Sequence, residues 1–271
     1  MTLCNYPIGV FDSGLGGLTA LKALKDRLPN EDICYLGDTG RVPYGVRSRD
    51  TILRYAAQDA AFLLDQNVKA IVIACGTVSA VALDALRETV RVPIYGVIEP
   101  AARAALAATR SGRVGIIGTQ ATVQSGAYER ALRSIAPDVL VTGQACPLFV
   151  PLVENGRTDP NDIVIETVAR EYLAPFSDAN VDVLILGCTH YPLLEGVIRK
   201  ILGPDVRLVS SGAAAAQEVA DDLTARGVLS TRDTVGSARY FVTDCVAGFE
   251  SLASRFLQQD VAGSVTQVRL G

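Results

Sequence analysis

Short runs that are apolar at nearly every position recur along the chain, and each is followed by a turn and then by a segment of helical periodicity. The runs are YPIGVF (6 to 11), DICYLG (32 to 37), KAIVIA (69 to 74), VPIYGV (92 to 97), GRVGIIG (112 to 118), VDVLILG (181 to 187) and VRLVS (206 to 210). Strict alternation would mark strands with one wet face. Continuous apolar runs interleaved with helices instead predict parallel strands covered on both faces. The intervening segments read as helices on their own terms: LTALKALKDRL after DSGLGG, RDTILRYAAQDAAFLLDQ after VPYG, and DPNDIVIETVAREYLAPF, where Asp159 is placed to cap and Pro160 to fill the first turn. The fold class is therefore α/β.

Two of these units are echoed. KAIVIACGTVSA (69 to 80) and DVLILGCTHYPL (182 to 193) each run a buried strand into a small residue, a Cys and a Thr at the start of an expected helix. YPIGVFDSG (6 to 14) and GRVGIIGTQ (112 to 120) each run a strand into a turn with a hydroxyl, so that Ser13 corresponds to Thr119. Strand-turn-helix units resemble one another, but two pairs in the same order favour duplication. The expectation is two similar α/β domains with mainly parallel sheets, related by pseudo-two-fold symmetry, with an active site in the cleft between the carboxyl ends of their strands. The first is expected to comprise 1–98 and 208–271 and the second 99–207.

Composition supports a real core and narrows the partners. Of 271 residues, 49% are hydrophobic and only 20% charged, which excludes a disordered chain. A net charge of -4 without a Lys/Arg cluster speaks against nucleic acid and anionic membrane surfaces as partners. The N-terminal stretch MTLCNYPIGVFDSG has neither the basic nor the long apolar region of a secretory signal, and no apolar run reaches membrane-spanning length. A soluble cytoplasmic protein is expected. The six cysteines lack C-x-x-C spacing, so free thiols are expected, with no zinc site or redox dithiol.

In a pseudo-symmetric cleft, Cys75 and Cys188 would face each other, each at a strand end and near a helix N-terminus that favours its thiolate. One thiolate can take a proton from carbon while the opposing thiol returns one from the other side, which inverts a stereocentre. The single histidine of the chain, His190, stands two residues after Cys188. There it can hold an ion pair with the thiol or protonate a developing anion. Ser13, Thr77 and Thr189 suit carboxylate oxygens, and Asp12 suits an ammonium or a base role beside Cys75. On residue type alone each also has a structural reading: hydroxyls after strands cap helices, an Asp in a turn closes it, and a lone Cys or His packs.

The motifs DSGLGG (12 to 17), GDTGRVPYG (37 to 45), ACGT (74 to 77), GVIEP (96 to 100), CPLFVPLVENG (146 to 156) and LGCTHYPLL (186 to 194), with FVTDCVAGFESLASRFL near the C-terminus, closely resemble those of bacterial glutamate racemases. The resemblance spans essentially the whole chain. It implies cofactor-independent interconversion of L- and D-glutamate, supplying D-glutamate for peptidoglycan synthesis and so for the cell wall and cell shape. Cys75 and Cys188 would be acid and base, the first acting on D-glutamate and the second on L-glutamate, with His190 and Asp12 assisting. Substrate contacts carry over to Asp12, Ser13, Tyr44, Gly45, Gly76, Thr77, Thr189 and His190, with Asp38, Thr119 and Glu154 as accessory positions. The resemblance also implies a homodimer as an assembly common in the family. Related aspartate racemases tend to carry Glu where His190 stands, so the His favours glutamate.

One motif departs from the family. Cys75-Gly76-Thr77 stands where Cys-Asn-Thr is usual, removing a carboxamide whose contact with a charged ligand is worth about 1.5 to 3 kcal/mol. The rival readings are therefore a racemase of aspartate or another acidic amino acid, a Cys-dependent lyase or isomerase, and a non-catalytic acidic amino-acid binding protein. Retention of both cysteines, both following threonines and His190 argues against the last.

Overall fold

The computed structural model describes residues 3–257, 259–261 and 263–271. Its strands are β1 (Ile8–Asp12), β2 (Ile33–Gly37), β3 (Ala70–Ile73), β4 (Ile94–Tyr95), β5 (Arg113–Gly118), β6 (Leu140–Ala145), β7 (Val183–Leu186), β8 (Arg207–Ser210), β9 (Ala238–Val242) and β10 (Val265–Gln267). They form two sheets, β10-β9-β2-β1-β3-β4 and β6-β5-β7-β8, and the described pairings are parallel. β1, β2, β3 and β7 are buried at every position, as helices on both faces require.

The duplication read from the two echoes is visible in the strand order. Within the first sheet β2-β1-β3-β4 repeats the order of β6-β5-β7-β8. β1 and β5 are thus equivalent, as are β3 and β7, and Ser13 and Thr119 follow the first pair while Cys75 and Cys188 follow the second. The chain remains in the second sheet through β8, which pairs from Val183↔Arg207 to Leu186↔Ser210, so the expected border at 207/208 falls inside one strand. It returns to the first sheet through the helix Ser211–Ala225, which packs against both Leu18–Arg27 and Ile98–Ala108.

Two expectations are corrected. The helix read from Asp159 begins at Ile163, and its cap is Asp162, whose Oδ1 accepts from the Val164 N–H at 2.9 Å. Asp159 instead closes a tight turn, accepting from Asn161 N at 2.8 Å, and Pro160 precedes the helix. Arg157 grips Asp162 at 3.0 and 2.8 Å, which holds the carboxylate at the cap. The second correction concerns Cys188, which is not followed by an α-helix. The chain makes a 3-10 turn, Tyr191–Leu194, before the helix Glu195–Leu202, because Pro192 offers no N–H to a longer ladder.

Candidate active site

The carboxyl ends of β1, β3, β5 and β7 converge on a cavity of about 430 Å³, within the range of roughly 300–1,000 Å³ usual for small-molecule sites. The first half contributes Asp12, Ser13, Tyr44, Gly45, Cys75, Gly76 and Thr77, and the second contributes Thr119, Glu154, Cys188, Thr189 and His190. Asp38 is the exception among the sequence candidates. It is fully buried behind the wall, where Tyr44, Arg41 and Thr243 bond to it.

Both thiols are buried, Cys75 at 6% and Cys188 at 8% exposure. The Cys75 thiol donates to Ser13 Oγ at 3.4 Å. Cys75 does precede a helix, Gly76–Thr89, as expected. Yet burial, followed by the nearby Asp12 charge, pushes its thiol up to about 12, outweighing the bonds from Ser13 and the Val78 N–H. The expected ease of ionisation is reversed here because desolvation exceeds the pull of a helix N-terminus. At rest Cys75 is a thiol, and its anion is a strong base.

Asp12 Oδ2 accepts from the Gly14 N–H at 2.9 Å, while Oδ1 is buried without a hydrogen-bond partner among the described residues. Burial raises the Asp12 pKa and the positive charge of His190 opposes that rise. The Gly17 N–H also acts on this carboxyl, so Asp12 holds a buried, weakly partnered Oδ1 beside a protonated thiol.

On the opposite wall Cys188 Sγ lies 3.8 Å from His190 Nδ1, and His190 Nε2 lies 3.1 Å from Glu154 Oε1. Burial pulls the imidazole pKa down. Hydrogen bonding to Cys188 and Glu154, with the charges of Cys188 and Asp12, overcomes this and sets it to about 10. His190 thus stands as an imidazolium between a sulfur and a carboxylate. Its close neighbour is a glycine by necessity: a Cβ on Gly16 would come within 2.5 Å of Nδ1 and 2.2 Å of Thr189 Oγ1.

Across the cleft, Thr77 Oγ1 lies 3.1 Å from Thr119 Oγ1 and 3.4 Å from Thr122 Oγ1, and the latter two are 3.0 Å apart. Thr119 also caps the short helix Gln120–Gln124, so one hydroxyl both lines the cavity and ends a helix. Thr122, Val150 and Pro151 line the cavity and were missed from sequence. Only for Thr122 was there a signal, a hydroxyl three residues after a hydroxyl cap, which faces the same way.

The departure at Gly76 has a steric correlate. A Cβ there would lie 2.4 Å from the carbonyl oxygen of Gly187. The residues directly beside the two cysteines are therefore in backbone contact across the cleft.

Comparison with known proteins agrees with this geometry. The sequence profile described as Asp/Glu/Hydantoin racemase matches residues 21–219. The chain belongs to the Asp/Glu/Hydantoin racemase family. It is 50% identical over 263 residues to the glutamate racemase of Geobacter metallireducens, covering 97% of this chain and 96% of that protein. Among solved structures, glutamate racemase isoform RacE1 from Bacillus anthracis matches with TM-score 0.93 at 40% identity, covering 98% of each chain. The glutamate racemase of Francisella tularensis, solved with D-glutamate, matches with TM-score 0.90 at 42% identity, again over 98% of each. Membership of this racemase family accords with the two parallel sheets.

Proposed function

We propose that this chain interconverts L- and D-glutamate by a two-thiol 1,1-proton transfer and supplies D-glutamate for peptidoglycan. The observation that carries the reading is the placement of Cys75 and Cys188 after equivalent strands, β3 and β7, on opposite walls of one cavity. In each direction one sulfur, as the thiolate, takes the Cα proton, and the other, as the thiol, delivers its own proton to the opposite face. The two sulfurs end with exchanged protonation states, and proton exchange with solvent resets them. Asp12 is suited to draw the proton from Cys75, since its Oδ1 is desolvated and its pKa is raised by burial. The His190 imidazolium, 3.8 Å from the Cys188 sulfur, is placed to stabilise the substrate's developing anion. Ser13, Thr77, Thr119 and Thr189 offer hydroxyls to the substrate carboxylates, with backbone N–H groups of Gly-rich turns beside them.

The same reading carries the cytoplasmic location expected from the sequence, and assembly as a homodimer on the strength of the family resemblance. It assigns no nucleic-acid or membrane partner, in keeping with the net charge of -4. The test is incubation with L-glutamate in D₂O, following deuterium at Cα and the appearance of D-glutamate, with L-aspartate in parallel. Exchange and racemisation of glutamate support the reading. Turnover of aspartate alone changes the substrate, and no exchange with either leaves a binding protein.

A further inference from the structure

Behind the wall formed by 42–46 lies a charged cluster that this reaction does not use. Asp38 and Asp59 are both fully buried. The Arg41 guanidinium meets both, Nε donating to Asp38 Oδ2 at 2.6 Å and Nη2 to Asp59 Oδ1 at 3.0 Å, while Nη1 donates to Gln58 Oε1 at 2.5 Å. The guanidinium carbon lies 4.1 Å from the centre of the Tyr55 ring, which in turn packs 5.4 Å from the ring of Tyr44. The Tyr44 hydroxyl stands between the carboxyls, closely bonded to Asp38 Oδ2 and 3.2 Å from Asp59 Oδ2. Thr243 Oγ1 donates to Asp38 Oδ1 at 2.8 Å.

A count of protons orders this network. One guanidinium balances one carboxylate, and a second carboxylate buried beside the first would stand without a counterion. Burial, and then the Asp38 charge, drive the Asp59 pKa well above its ordinary value, while the Arg41 charge and the Tyr44 hydroxyl oppose that rise. The Tyr44 hydroxyl has one proton for two carboxyl oxygens, so it donates to Asp38 Oδ2 or to Asp59 Oδ2 and holds the two together. The phenolic oxygen is spent inside the wall, so Tyr44 meets the cavity by other atoms. Its neighbour Gly45 lies against the second half, where a Cβ would sit 3.3 Å from Thr119 Cβ. The setting of this wall therefore fixes the space beside the Thr119 hydroxyl.

We propose that Asp59, on the helix Arg49–Asp65, is a positioning residue for the substrate site, locking Arg41 and Tyr44 so that the wall 42–46 is held against Thr119. The proposal rests on the racemase reading. It predicts a loss of binding with little loss of chemistry, because the network's tie to the proton-handling groups is the Asp38 N–H donating to the Asp12 carbonyl oxygen at 3.0 Å, a backbone bond that a change at Asp59 leaves in place. Asp59→Leu, apolar and similar in size, should raise KM for both enantiomers about tenfold with kcat within about threefold. Asp59→Asn, which donates to Tyr44 and accepts from Arg41 without charge, should stay within about twofold in both constants. Tyr44→Phe breaks the same bridge from its other end and should raise KM similarly. The double variant Asp59→Leu/Tyr44→Phe should be no worse than the worse single one.

Unchanged KM in Asp59→Leu, a loss confined to kcat, or an Asn variant as impaired as Leu would each overturn the proposal. If Asp59→Leu does not fold, Tyr44→Phe decides, and an unaltered KM there overturns it equally. A wild-type chain without Cα exchange removes the racemase reading and this proposal with it. An active wild type with unaltered variant KM values removes the proposal alone.

Discussion

Gly76 and Gly187 touch across the cleft: a Cβ built on Gly76 falls 2.4 Å from the Gly187 carbonyl oxygen, whereas ordinary Cβ contacts begin at 3.4 Å. Since Cys75 and Cys188 are their immediate neighbours in sequence, this contact sets how closely the two thiol-bearing strand ends approach. Any side chain at position 76 must part the halves there by about 1 Å, a displacement that can cost about a hundredfold in a positioned reaction. Gly76→Ala and Gly76→Asn should therefore both lower kcat about ten- to hundredfold, the carboxamide giving no advantage over the methyl. Steady-state rates in both directions check this. An Asn variant as active as wild type, or more so, would mean that the halves absorb the side chain and that a lost substrate contact has been restored.

Replacement of either thiol should end racemisation. Serine is too weak an acid to provide the anion at neutral pH, so Cys75→Ser and Cys188→Ser should each lose at least about a thousandfold in kcat/KM in both directions. Circular dichroism with a polarimetric assay distinguishes this from misfolding. Near-normal turnover by either variant would sink the two-thiol mechanism.

How far the fold was legible depends on where each strand lies. β1, β2, β3, β5 and β7 are interior to their sheets and apolar on both faces, so their sequences announce them. β6 is an edge strand, LVTGQA, exposed or half-buried throughout, and β10 is a three-residue edge, so neither needs an apolar run. β9 mixes one buried face with polar positions, ARYFV, and its sequence signal is the motif that begins inside it at Phe241. The paired cysteines and His190 could be read from echo and spacing. Asp59 could not, because in RYAAQDAAFLL a lone acidic residue looks like the wet side of a helix until tertiary structure buries it against Arg41 and Tyr44. The meaning of Gly76 was hidden for the same reason, since its contact comes from a residue far along the chain.

The charge on Asp12 should act on Cys75 in two opposed ways. It helps hold the thiol up to about 12, second only to burial, and in the proposed reaction it is also the group positioned to draw the thiol proton. Asp12→Asn removes the charge, so the Cys75 pKa falls and its alkylation by iodoacetamide at pH 8 should speed up severalfold, while racemisation falls by about a hundredfold or more. Mass spectrometry of the peptide carrying Cys75 reports the first and the rate assay the second. Slower alkylation together with lost activity would point to a collapsed site and no role for the Asp12 charge.

His190 can be separated into its chemical and its structural contributions. It lies 3.8 Å from the Cys188 sulfur and on the wall opposite Cys75, so His190→Asn should impair kcat unequally in the L-to-D and D-to-L directions. The two kcat/KM values must fall together, since the equilibrium constant between enantiomers in water is one. Packing also involves the ring, which stands edge-on to Phe256 at 6.0 Å, so some stability is expected to be lost as well. The pH dependence tells the two apart. The imidazole titrates near 10 when folded against an ordinary value of 6.5, so the native state binds more protons between those limits. Its stabilising contribution is complete below about pH 6.5, declines as pH rises, and is gone above about 10. The wild-type Tm should fall across this window, and His190→Asn should show a shallower fall while starting lower. A variant with the wild-type slope, and with near-normal kcat in both directions, would mean that His190 packs against Phe256 and does no more.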